Sequence, residues 1–141
     1  MKIILTILTL TLLTVPTTNK NLKRILKDGQ FSKLPKSAII LGHEIINDTK
    51  KRFGYLAFEA SSDDIATWTR QSNLILTTTT EIFDNNLIVW PTKRPTWFTE
   101  SSDKLSTGDK YYSKRESDRF LSLSWVDINR KIIHVEYEIG L

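Results

Sequence analysis

The C-terminal stretch from Phe120 to Ile139 constrains the fold more than any other. Leu121, Leu123 and Trp125 alternate with Ser122, Ser124 and Val126. Asp127-Ile128-Asn129-Arg130-Lys131 follows, and then Ile133, Val135, Tyr137 and Ile139 alternate with His134, Glu136 and Glu138. Two runs of period two, rich in β-branched and aromatic residues and joined by a short Asp/Asn-containing turn, predict an antiparallel hairpin. One face of it is apolar and must be covered by the rest of the chain. Trp125 and Val135 are expected to be buried there.

Upstream of the hairpin, Ser37 to Ile46 and Phe53 to Ala60 read as strands about a turn at Asn47-Asp48-Thr49-Lys50-Lys51. The second carries apolar residues on both sides, Phe53, Tyr55 and Ala57 against Leu56 and Phe58, which predicts an interior strand. Gly42 and Gly54 inside these runs predict bulges or close approaches. Ser61-Ser62-Asp63-Asp64 is a helix start, with a hydroxyl cap and acids in the first turn. Ile65 and Trp68 share that helix's inner face, and Asn73 suits a left-handed end. Leu74 to Asp109 is hard to read. Its threonines, Thr77 to Thr80, favour extended structure. Lys110 to Lys114 predicts an edge strand with lysines discouraging further pairing. The fold class expected is α+β: an antiparallel sheet of about five strands with one main helix packed on one face.

The N-terminus sets the expected compartment. Lys2 is followed by residues 3–15, thirteen residues with no charge. That is signal-peptide-like, and short of the roughly 20 residues a membrane-spanning helix needs. The organisation expected is a signal peptide over 1–19, a basic leader over 20–33 with a short helix, and a single domain over 34–141. Localisation follows as periplasmic or secreted, in a bacterial envelope. Cysteine is absent, so there is no disulfide framework, thiolate metal site or lipidated Cys. The net charge of +4 is concentrated early. Lys20, Lys23, Arg24 and Lys27 are expected to make weak contact with an anionic membrane surface.

The order Leu34-Pro35-x-Ser37-Ala38, Phe58-x-Ala60-Ser61-x-Asp63-Asp64-Ile65-x-x-Trp68, Pro95-x-Trp97-Phe98 and Trp125-Val126-Asp127 resembles small uncharacterised exported bacterial proteins. The resemblance covers roughly residues 34–139. It implies export and a compact α+β fold, and it implies no activity. Relatives of this kind often carry a lipobox Cys, which this chain lacks.

Catalytic chemistry finds little footing. His43 and Glu44 are adjacent in a strand and point to opposite faces. His134, Glu136 and Glu138 alternate on what is expected to be a solvent-facing polar strand face. No G-x-S-x-G elbow and no glycine-rich phosphate loop occurs. No catalytic residue, metal ligand, cofactor or nucleic-acid partner is therefore expected. The function expected is a non-catalytic binding or accessory protein, its partner another protein. A small envelope hydrolase using His134 with a nearby carboxylate is the alternative. The candidate binding residues are Trp90, Lys93, Arg94, Trp97 and Phe98, because Trp, Phe and Arg concentrate interface energy and prolines stiffen the stretch.

Overall fold

The computed structural model describes residues 17–98 and 110–141. The expected signal segment therefore lies outside the described residues, except for its last three, which open the first helix. The elements run α1 (Thr17–Asp28), β1 (Ile39–Asn47), β2 (Lys51–Glu59), α2 (Ser62–Gln71), β3 (Ile75–Thr77), α3 (Thr79–Asp84), β4 (Lys110–Ser117), β5 (Phe120–Asp127) and β6 (Ile132–Gly140). The fold is α+β. Six strands form one antiparallel sheet in the order β1-β2-β6-β5-β4-β3. The sixth strand is β3, three residues long.

The register of the final hairpin decides the architecture. Asp127 pairs with Ile132, leaving a loop of four residues, Ile128–Lys131. The Asp127 carboxylate accepts from the Arg130 N–H, and Lys131 takes the left-handed turn with φ 56. Trp125 then faces His134, Leu123 faces Glu136 and Leu121 faces Glu138. Paired residues share a face. The apolar set of β5 therefore lies with the polar set of β6, and the apolar set of β6 lies with Ser122 and Ser124. This corrects the expectation of one apolar face and one solvent face. Had Asp127 belonged to the turn, the loop would have been one residue longer and both apolar sets would have shared a side. A one-residue change in register turns every side chain over.

Both faces of the sheet are consequently buried. The face under α1 and α2, here the helical face, gathers Leu56, Phe58, Ile133, Val135 and Tyr137 with Ile25, Phe31, Ile65 and Trp68. The opposite face gathers Phe53, Tyr55, Leu121, Leu123, Trp125 and Tyr111 under Ile82, Ile88, Val89 and Phe98. It is closed by α3 and by the irregular arch Leu87–Phe98, so we call it the arch face. β2 and β5 are buried on both sides. Trp125 and Val135 are both buried, on opposite faces.

The helix predicted at Ser61 forms as expected. The Ser61 hydroxyl accepts from the Asp64 N–H at 3.1 Å, and Asn73 takes φ 56 past the end. α1, with 12 residues, is longer than the short helix expected in the basic leader, and it packs on the core. Leu22, Ile25 and Leu26 pack its inner face into the core, with Ile25 fully buried. Gly29 and a left-handed Gln30 turn the chain out of α1. α3 was not expected. Thr78 and Glu81 form a reciprocal capping box, which stops the threonine run from extending as a strand.

β4 is not the edge strand its lysines suggest, because it pairs with β3 as well as β5. Lys114 is buried instead. Its Nζ donates to the carbonyls of Gly29 (3.1 Å), Gln30 (3.2 Å) and Ser72 (3.1 Å), and lies 3.3 Å from the Glu116 carboxylate. These carbonyls end α1 and α2, where the helix dipole favours a cation. One ammonium thus ties both helix C-termini to the sheet.

Candidate functional site

The arch Leu87–Phe98 holds all five candidate residues, and the structure divides them. Phe98 is buried, packing edge-on against Tyr55 at 5.0 Å and against the His134 ring at 5.9 Å. Arg94 reaches inward. Its Nε donates to a Glu136 carboxylate oxygen at 3.1 Å and its Nη2 to the Val89 carbonyl at 2.9 Å. The Glu136 side chain is 1% exposed. Trp90, Lys93 and Trp97 face outward, and Trp90 is 64% and Trp97 40% exposed.

The sequence explains why the arch holds this form without regular secondary structure. Pro91 and Pro95 fix two φ angles and remove two N–H donors, so neither helix nor ladder can propagate. The Phe98 N–H returns to the Pro95 carbonyl at 3.1 Å. Anchors then fix the arch to the sheet. Arg94 pairs with Glu136 of β6, and Phe98 packs on Tyr55 of β2. The Thr92 hydroxyl donates to Asp48 in the β1–β2 turn at 2.9 Å. Hydrogen bonds from the Thr49 backbone, then from the Thr92 and Thr49 hydroxyls, hold the Asp48 carboxyl below its ordinary range.

Trp97 is positioned by a glycine. A Cβ at Gly42 would come within 2.7 Å of the Trp97 ring, so the indole lies directly on the β1 backbone. The β1–β2 register slips between Ile40 and Gly42, giving the expected bulge and the expected close approach at one place. Ile39, Ile40 and Leu41, next to the bulge, are exposed. Gly54 serves the helical face in the same way, making room for the Tyr137 ring.

His134, Glu136 and Glu138 are not solvent-facing, which corrects the expectation for that strand. The His134 ring stacks on Trp125 at 4.1 Å and 7° between planes. Glu136 is enclosed with Arg94, and Glu138 accepts from Lys51 at 3.1 Å. The cause is the register of the hairpin, which places all three under the arch or beside β2. Among the described residues no group of three or more His, Cys, Asp or Glu could hold a metal ion.

Elsewhere, Asp28 joins α1 to the sheet. It accepts from Arg24 Nε at 3.0 Å, Arg52 Nη1 at 3.3 Å and the Tyr137 hydroxyl at 3.1 Å. Burial, and then the Asp28 charge, push the Tyr137 phenol far above its ordinary value, so it remains a neutral donor. Sequence reading did not anticipate this contact, because no local pattern links positions 28, 52 and 137.

No family model, curated protein or solved structure matches this chain. Among the described residues no helix is long and apolar enough to cross a membrane.

Proposed function

We propose that this is an exported, non-catalytic binding protein of the bacterial envelope, and that the arch recognises another protein through Trp90, Lys93 and Trp97. Arg94 and Phe98 act beneath them as anchors. The observation that carries the reading is two exposed indoles on a segment pinned to the sheet by buried groups. Exposed tryptophans on a preordered segment bring large contact area and lose little conformational freedom on binding. Had the tryptophans served only to close the arch face, their rings would lie inside it, as Phe98 does. The apolar residues 3–15 support export, and a loose contact of the Lys20, Lys23, Arg24 and Lys27 side chains with an anionic membrane surface belongs to the same reading.

The His134 ring is packed against Trp125 and Phe98. That favours a place in the core over the alternative hydrolytic role.

The test is affinity capture from envelope extract by wild type and by Trp90→Ala and Trp97→Ala. Trp90→Ala should keep the wild-type melting temperature to within a few degrees, and Trp97→Ala, which uncovers the β1 backbone at Gly42, should remain folded with a lower one. At least one should lose a partner that wild type retains reproducibly. Retention of every partner by both variants would remove the arch as the binding surface.

A further inference from the structure

We infer that the groove between α1 and the β1–β2 hairpin is a binding site for the phosphate of an anionic lipid headgroup. The groove has a volume of about 420 Å³ and is lined by Lys20, Lys23, Arg24, Lys27 and Arg52, with Asn47 among its polar neighbours. On α1 the cations fall at spacings of three and four, so they form one stripe about two turns long. Arg52 reaches the groove from β2, where its Nε also donates to Asn47 at 3.1 Å.

The charge is locally unbalanced. Asp28 is the carboxylate at this place, and Arg24, Arg52 and Tyr137 already hold it. Of the other acids on the neighbouring strands and turn, Glu44, Glu59 and Glu138 share the face of Phe53 and Tyr55, away from α1, with Glu138 paired there with Lys51, and Asp48 accepts from Thr49 and Thr92. Among the described residues no ion pair involves Lys20, Lys23 or Lys27. Three ammonium groups therefore border a concave surface whose own acid is neutralised. Lysines present point charges well suited to phosphate.

The fold also determines how such a surface meets a lipid. An amphipathic helix ordinarily binds a bilayer by sinking its apolar face. Here that face is occupied, since Leu22, Ile25 and Leu26 pack into the core. α1 can meet a membrane only through its cations, at the level of the headgroups. The contribution of α1 to binding must therefore be electrostatic and sensitive to salt. The lipid as source of the phosphate rests on the export reading above and on the apolar residues 3–15 directly preceding α1. The groove itself does not rest on that reading.

The experiment uses the full chain in two arms. In the first, it is sedimented with vesicles of phosphatidylglycerol mixed with phosphatidylcholine, and with vesicles of phosphatidylcholine alone. Wild type should prefer the anionic vesicles. Lys20→Gln/Lys23→Gln/Lys27→Gln should lose that preference by about tenfold or more. The equally charged control Lys33→Gln/Lys36→Gln/Lys110→Gln should lose far less. The preference should also vanish as salt rises toward about 1 M, where screening reaches ~3 Å. In the second arm, inorganic phosphate should raise the melting temperature of wild type and leave the α1 variant unmoved. Equal losses in both triple variants would reduce the effect to net charge and overturn the groove. A phosphate response that depends on the α1 lysines, without vesicle binding, would overturn the lipid as source and assign a soluble phosphate compound. Capture through Trp90 and Trp97 is read separately and can fail while this site stands.

Discussion

The two faces of the sheet bury similar side chains, yet they are closed by different means. On the helical face, two helices with periodic apolar stripes meet a layer of Leu, Ile, Val and aromatic residues. Its charged anchors lie at the edges, where Lys114 and Asp28 join helix ends to strands. On the arch face, a short helix and a proline-braced segment close over a layer that contains Glu136, His134 and Trp125. Regular elements satisfy their own backbone groups except at their ends, so a cover made of them needs apolar contact along its length and polar partners only at its termini. An irregular cover cannot do this, and it is held by a buried ion pair and side-chain hydrogen bonds. The outward indoles stand on the second kind of cover. A helix could not present Trp90 and Trp97 outward while burying Arg94 and Phe98 at this spacing.

The comparison can be broken at its centres. Trp68→Ala on the helical face and Glu136→Ala on the arch face should each cost about 3–5 kcal/mol, the first through a cavity and the second through an abandoned buried charge. The faces should part in the rescue. Arg94→Met combined with Glu136→Leu should recover most of the loss from Glu136→Ala, because a buried pair removed together leaves no unpaired charge. Denaturant unfolding of the four proteins measures this. If the double variant is as unstable as Glu136→Ala, the arch is not held by charge.

A smaller effect tests the edge of the helical face. Lys114→Met should cost about 1–3 kcal/mol, since it leaves the carbonyls of Gly29, Gln30 and Ser72 without their donor. Amide exchange should quicken at the C-terminal turns of both α1 and α2. Exchange that quickens at neither would show that the shared ammonium is not what joins them.

The smallest effect belongs to acid. The Asp48 carboxyl has a lowered value in the folded chain, so its contribution is present above the unfolded value of 3.8 and is lost as pH falls through the lower folded one. As pH falls through that lower value, the bond to Thr92 should weaken and the fluorescence of the arch tryptophans should change. Asp48→Asn should remove that acid-dependent step. If the step persists in the variant, another carboxylate controls it.

The sequence by itself determined what depends on neighbours along the chain. Alternation disclosed the strands of the final hairpin, the two apolar sides of β2 made it interior, and Ser61 with Asp63 and Asp64 marked α2. The prolines and tryptophans of the arch were also plain as an irregular aromatic segment. α3 was not read from the sequence, because the threonine run favours extension, and its Thr78–Glu81 capping box emerged only in the structure. What remained was a matter of parity and distance. Whether Asp127 joins the strand or the turn decides which side of the sheet His134, Glu136 and Glu138 occupy, and only pairing across the hairpin settles it. Lys114 reads as an edge guard until β3 pairs beyond it and two helix ends converge on its ammonium. Arg94 reads as a candidate binding residue until Glu136 is placed beneath it. In each case the deciding interaction joins residues far apart in sequence, and its strength comes from burial that no local pattern records.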